Sequence, residues 1–513
     1  MTTIFLYIAT FVSLSFWFYF KNEDEKRGLA GKAFLTTGAL YIAASLFLPT
    51  AGSTAVGIGL HLLCLFVAGF FINTFSNYKL VFFSLLILLS GGYFYSQTGG
   101  LPFGNTTPPL SEQSTPMPTN LDGKAELLIE ISNGHQVAEL QSIVEQYQLE
   151  LTAAFSPQDG ANTDLDDYYT VNIPPSREAN YSAIVATLRN SGLIDNVEDN
   201  EMLSVDPLET QQASAPPSEG AYTVNDPDLS KVWGFESMQV QALYDYIATN
   251  KLKPKKKAKI AIIDTGVDDQ HEDLTGNFVS IDTKHNDDPI GHGTHCAGIA
   301  AAVTNNSKGI ASFSPNGTFV SVTSVKVFGK YGNTSQKRII DGMIEAVDNG
   351  ATVLSMSLGG PSTDQNQKAY RAAVKYANQK GAIVVVAAGN ENMNAKRRAP
   401  ASVVGVITVA AIDNQLQKAS FSNTVGDLKM GIAAPGVQVY STIPDNKYDY
   451  LNGTSMATPY VAGLVALLQS LKPNITTEQV YEILQRSGSE TLNTTQTGKL
   501  IQPVAAVKQL LKK

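Results

Sequence analysis

The chain is poor in cysteine, histidine and charge: its 513 residues carry 2 Cys, 6 His and only 16% charged side chains. Two cysteines cannot build a disulfide framework. Cys64 sits inside an apolar block and Cys296 in a Gly- and His-rich stretch, so the sequence gives no reason to pair them and leaves Cys296 a free thiol. A net charge of −9 argues against nucleic acid as a partner. The low charge share, beside 43% hydrophobic residues, points to a membrane portion. The first apolar block lacks a basic start and a small-residue cleavage site, and three more apolar blocks follow it. Those features argue against reading it as a removable secretion signal.

What is present begins with those blocks: Thr2–Phe20, Ala33–Leu48, Ala55–Ile72 and Leu80–Tyr95. Two approach the length that spans a bilayer and two need their flanks, so residues 1–96 read as a four-helix transmembrane region. Lys21, Lys26, Arg27 and Lys32 lie between the first and second blocks and Lys79 between the third and fourth, whereas 49–54 has no Lys or Arg. Cationic loops stay in the cytoplasm, which puts everything after Tyr95 on the opposite side. Residues 97–123 form a Pro/Ser/Thr-rich linker without periodicity. Residues 124–206 alternate strand-like runs (AELLIEI, YYTVNI) with helical spacing over Val137–Tyr147 and Ala179–Leu188, a β-α-β-β-α-β order that suggests a ferredoxin-like α+β unit. Residues 207–220 are a second polar linker. Residues 221–513 alternate apolar strand-like runs (Lys259–Asp264, Phe319–Val327, Thr352–Leu358, Ala382–Ala388, Val403–Ala411) with helical stretches such as Ser335–Asn349 and Gln365–Gln379. That alternation predicts an α/β domain, a mostly parallel sheet with helices on both faces. The basic run Lys251–Lys259 reads as a solvated surface turn.

Three stretches of this last domain carry chemistry. KIAIIDTGVDD (259–269) is a buried strand ending in Asp264. DPIGHGTHCAGIAAA (288–302) sets His292 between glycines before a small-residue helix. LNGTSMATPYVAGLVALLQ (451–469) sets Ser455 at the mouth of an apolar helix. Singly, Asp264 is a turn acid, His292 a loop residue and Thr454 or Ser455 a helix cap. Together they are the set needed for nucleophilic acyl transfer. A serine hydroxyl needs an adjacent imidazole base, and the imidazole needs a carboxylate to fix its tautomer and stabilise its cation.

DTGVD, GHGTHCAG, SMSLGG, AAGNE and GTSMATP, in that order, resemble the subtilisin-like serine proteases (subtilases), most nearly thermitase-like or proteinase K-like members with a cysteine beside the active histidine. The resemblance covers roughly Tyr222 to the C-terminus. Tyr460 departs from it, standing where the family usually has histidine. The resemblance implies a subtilisin-like fold and a serine endopeptidase with Asp264, His292 and Ser455 as triad and Asn390 as oxyanion donor. It implies that Ser357, Leu358, Gly359, Ala387, Ala388 and Gly389 wall the substrate side-chain pocket, and that Gly332 pairs with substrate backbone. No acidic residue obviously occupies the pocket floor, so the expected preference is broad and apolar-leaning. The unit at 124–206 resembles the family's inhibitory propeptide, which implies a self-processing zymogen with its own propeptide as intramolecular inhibitor. Asp226, Asp273 and Asn306 align with a thermitase-like loop that binds structural Ca2+, though Asp and Asn are also ordinary turn residues. No cofactor is implied for catalysis. The implied partners are polypeptide substrates and the lipid bilayer. The alternatives are a catalytically silent membrane receptor or scaffold that binds peptides, and a membrane region with a ligand of its own.

Overall fold

Apolar runs without polar alternation need burial on both faces, and a parallel sheet between two helix layers supplies it. The computed structural model describes residues 126–205, 222–363 and 367–512. The linkers 97–123 and 207–220 and all four N-terminal apolar blocks lie outside the described residues. Among the described residues no helix is long and apolar enough to cross a membrane.

The N-terminal unit is built from β1 (Leu127–Ile131), α1 (Gln141–Tyr147), β2 (Glu150–Ala153), β3 (Tyr168–Asn172), α2 (Tyr181–Arg189), β4 (Ile194–Asp199) and β5 (Met202–Ser204). Its antiparallel sheet has the order β2-β3-β1-β4. The two-residue period of a strand explains how β1 serves two cores. Leu127, Ile129 and Ile131 join Ile184, Leu188 and Val197 inside this unit, whereas Leu128 faces outward and packs with Phe155 and Tyr168 on the following domain.

That domain contains α3 (Val240–Thr249), β6 (Ala258–Asp264), α4 (His292–Ala301), β7 (Val320–Lys326), β8 (Asn333–Ser335), α5 (Gln336–Asp348), β9 (Val353–Met356), β10 (Gly360–Pro361), α6 (Lys368–Gln379) and β11 (Ile383–Ala387). It continues with β12 (Arg398–Ala399), β13 (Val406–Ile412), β14 (Gly431–Pro435), the hairpin β15 (Val439–Ile443) and β16 (Lys447–Leu451), α7 (Thr454–Leu471), α8 (Thr477–Ser487) and α9 (Pro503–Leu511). The main sheet has six parallel strands in the order β14-β13-β11-β9-β6-β7. Ile260 and Ile262 of β6 join the core under α3, α4 and α7, and Ala261 and Ile263 join the core under α5 and α6. The chain leaves β6 for β7 on one side and returns to β9 on the other. Sites in open α/β sheets form at such a reversal, beyond the carboxyl ends of the strands.

The two parts dock through helix N-termini, where unpaired N–H groups need acceptors. Glu198 accepts from the amides of Lys368 (3.2 Å) and Ala369 (3.0 Å) at the start of α6. Asn200 Oδ1 accepts from Lys337 N (2.9 Å) and Glu201 O from Gln336 N (2.8 Å) at the start of α5. Beyond them β5 pairs antiparallel with β8, Leu203 opposite Thr334.

Candidate active site

Asp264 ends β6 at the reversal and is fully buried. One carboxylate oxygen accepts from the Thr265 amide (2.7 Å) and bonds His292 Nδ1 at 2.7 Å. His292 opens α4, and a single acid anchors that helix end. Asp288 accepts from Thr265 Oγ1 (2.8 Å), Gly291 N (2.8 Å) and Thr294 N (2.8 Å), so the loop after β6 and the first turn of α4 share one buried hub. Nothing in the sequence singled out Asp288 beyond its place at the start of the histidine stretch.

Ser455 lies in the first turn of α7, which is buried all round. α7 touches α4 so closely that a methyl group on Gly463 would lie 2.8 Å from Ala300 O. Cys296 Sγ meets Ser455 O at 3.5 Å. These two contacts run in the same sense along both helices, so their N-termini, with His292 and Ser455, open at the same edge. Pro459 explains a further contact. It has no N–H to give the carbonyl four residues back, which is that of Ser455. That carbonyl accepts instead from Ser357 Oγ (2.7 Å) and the Cys296 thiol. Cys296 is free and buried, burial pushes its thiol well up, and its sulfur lies within 4.8 Å of the nearest ligand atoms of Asp264 and His292. The Ser455 hydroxyl itself donates to Ser357 O (3.2 Å).

Asn390 follows β11. Its side-chain oxygen accepts from Thr454 N (2.9 Å) and Thr454 Oγ1 (3.0 Å), which turns its Nδ2 toward Gly453. A Cβ on Gly453 would sit 3.5 Å from Ser455 N and 3.6 Å from Asn390 Nδ2. Glycine therefore keeps open the space on which these two donors converge, and its φ of 148° suits no other residue.

Ser357, Leu358 and Gly359 follow β9, and Ala387, Ala388 and Gly389 close the neighbouring β11, so the two segments stand side by side. Gly332 lies across from them, and its carbonyl accepts from Val205 N (2.7 Å). Leu203 lies against Gly360, its Cδ2 3.0 Å from where a Cβ there would be. The chain's own segment 202–205 thus runs along the groove between β8 and the stretch after β9. Between the walls stands a cation that the sequence reading did not place, Arg398. Its Nη2 donates to Gly359 O (2.8 Å) and pairs with Glu391 (3.0 Å), and its Nε lies 3.2 Å from the position of a Cβ on Gly389.

Asp226 and Asp273 bracket Asn306 apart from this groove. Asn306 N donates to Asp226 (3.1 Å) and its Nδ2 to Asp273 (2.8 Å). Burial, with the charge of Asp226 adding, pushes Asp273 up to about 7. Two buried acids gathered on one asparagine suit a hard cation. The Asn306 side chain would offer its oxygen after a half-turn of the amide that gives up the bond its Oδ1 accepts from Lys308 N (2.9 Å). Tyr460 is buried in an aromatic cluster with Phe235 and Phe313.

A sequence model described as the subtilase family matches residues 255–500. Thermitase from Thermoactinomyces vulgaris is 43% identical over 255 residues, 48% of this chain and 86% of that protein. A thermophilic serine proteinase from Bacillus sp. (strain AK1) is 39% identical, covering 59% of this chain and 70% of its own length. Subtilisin DY from Bacillus licheniformis is 40% identical over 49% of this chain and 90% of its own. With the six-stranded parallel sheet and five ordered motifs gathered at its edge, the chain belongs to the subtilase family of serine endopeptidases.

Proposed function

We propose that the protein is a membrane-anchored serine endopeptidase, made as a self-processing zymogen, whose catalytic domain works outside the cytoplasm. The observation that carries the reading is the 2.7 Å bond between buried Asp264 and His292, set at the sheet edge where α7 presents Ser455. The Ser455 hydroxyl turns from Ser357 O to Nε2 of His292, gives it the proton and attacks the scissile carbonyl. Asp264 stabilises the imidazolium that results. Asn390 Nδ2 and the Ser455 amide hold the oxyanion, and one such donor is worth about 10²–10³-fold in rate. His292 then gives its proton to the leaving amine, and water, activated by the same imidazole, releases the acyl group. Substrate backbone lies along Gly332, with its side chain between Ser357–Gly359 and Ala387–Gly389.

Residues 126–205 act as the intramolecular inhibitor, since 202–205 already fills the groove that substrate would use. Asp226, Asp273 and Asn306 hold a structural Ca2+, which supplies charge compensation there and no chemistry. The apolar blocks within residues 1–96 anchor the chain. Support for the catalytic reading comes from the site geometry; support for the anchor comes from the sequence alone.

The test is expression of the full chain beside Ser455→Ala, followed by intact-mass analysis and labelling with a serine-directed fluorophosphonate. The expected result is label on Ser455, and loss from the wild type alone of a segment ending between residues 206 and 220. Absence of both label and cleavage in correctly folded protein overturns the reading.

A further inference from the structure

The pocket walls hold a largely buried cation with an unanswered donor. Arg398 is 11% exposed, and its Nε, although buried, has no hydrogen-bond partner among the described residues. An unpaired buried donor is rare in native proteins and asks what fills it. The backbone explains how the residue reaches the pocket. β12 pairs antiparallel with β10, Gly360 opposite Ala399 and Pro361 opposite Arg398, which fixes Arg398 beside the first wall. From there its side chain folds back to Gly359 O and reaches across to Gly389 on the second wall. The guanidinium therefore closes the space between the two walls.

Glu391 pairs with Nη2 alone and so answers only part of the guanidinium. One Glu391 oxygen pairs with Arg398 Nη2, and the other accepts from Asn423 Nδ2 (2.7 Å). Both Glu391 oxygens are engaged, whereas Nε of Arg398 has no partner among the described residues. Guanidinium presents its donors as a planar fork that matches a carboxylate.

We propose that Arg398 is a specificity-determining residue that receives an acidic side chain, Asp or Glu, at the substrate residue preceding the cut. This rests on the endopeptidase reading above and replaces the broad, apolar-leaning preference expected from the sequence. An apolar side chain entering the pocket strands the Nε donor, an amide satisfies it without charge, and a lysine meets like charge. A site with a buried polar group discriminates against ligands that leave it unpaired.

The experiment uses the full chain after any self-processing, on peptides Leu-Ser-Val-X followed by a common leaving segment, with X as Glu, Gln, Phe or Lys. The expected result is kcat/KM for Glu about tenfold or more above that for Gln, with Lys lowest. Arg398→Gln brings the Glu-to-Gln ratio close to one. Glu391→Gln, which removes the competing carboxylate and keeps the arginine, raises the ratio. Glu no better than Gln in the wild type overturns the proposal, as does a ratio that survives Arg398→Gln. If Arg398→Gln fails to fold, the wild-type ratio and its change in Glu391→Gln decide the matter. The two readings fail differently. A chain that takes fluorophosphonate on Ser455 and cleaves these peptides without preferring Glu sinks only the specificity, whereas one that neither labels nor cleaves sinks the protease reading itself.

Discussion

Leu203→Ala tests the occupied groove most directly. Leu203 is 6% exposed and packs against Gly360 in the core shared with the catalytic domain, whereas the internal core of the N-terminal unit does not include it. Truncation therefore removes docking energy while leaving the fold of that unit intact. Burying a leucine and then cutting it to alanine costs roughly 2–5 kcal/mol in a packed site. Taking about 2.8 kcal/mol, at 1.4 kcal/mol per factor of ten, the docking equilibrium shifts by about 100-fold. The assay is the rate at which a serine-directed fluorophosphonate labels Ser455 in the full chain, since label requires an open groove. If 202–205 blocks the site, labelling accelerates by up to about 100-fold in Leu203→Ala at an unchanged final extent. An unchanged rate in a variant that labels completely would refute the idea that this segment guards the nucleophile.

Gly463→Ala places a methyl group 2.8 Å from Ala300 O, a backbone atom that cannot turn aside, so α7 must move off α4. The expected cost is about 1–3 kcal/mol, read as a lower Tm, with kcat/KM falling more than stability alone accounts for because Ser455 and His292 ride on the two helices. Removing calcium with a chelator is expected to lower Tm. Free Ca2+ at about 100 times Kd should contribute about 2.7 kcal/mol, and Asp273→Asn should abolish the difference between chelated and calcium-loaded protein. Burial pushes Glu198 up to about 7 from an ordinary value of 4.5. A carboxyl group whose pKa is higher docked than free contributes docking stability that is complete below about pH 4.5 and fades as pH rises through about 7. Fluorophosphonate labelling of the wild type should therefore gain more between pH 5.5 and pH 8 than that of Glu198→Gln, and parallel profiles would count against it.

The sheet was legible because parallel strands buried on both faces leave unbroken apolar runs. All five runs named from the sequence, from Lys259–Asp264 to Val403–Ala411, correspond to strands, with ends shifted by up to three residues. The edge strand β14 was missed because GIAAP sets a single branched residue, Ile432, among Gly, Ala and Pro, and its pairing with β13 is what makes it a strand. The hairpin β15–β16 was missed too, for Lys447–Leu451 is largely half-exposed and carries Lys, Asp and two Tyr. The helical stretch Ser335–Asn349 was legible, and its two end residues prove to be the caps of Gln336–Asp348, the Ser335 side chain accepting from Arg338 N.

The site divides along the same line. Asp264, His292, Ser455 and Asn390 each lie where a strand ends or a helix begins, and short motifs record such junctions because their glycines and small residues are required there. Asp288 and Arg398 act at long range. Asp288 gathers donors from both sides of a loop, and Arg398 reaches walls that are 39 and 9 residues away in the chain, Gly359 and Gly389. In the run NAKRRAP, Arg398 looks like one more solvated cation beside Lys396 and Arg397. Only its pairing with Pro361 in β10 turns it inward, while Lys396 and Arg397 remain in the short helical turn before it. The proposed catalytic residues are thus encoded locally, and the proposed selectivity tertiarily. Changes at Arg398 or Glu391 should therefore alter which peptide is cut without touching the motifs by which the family is recognised.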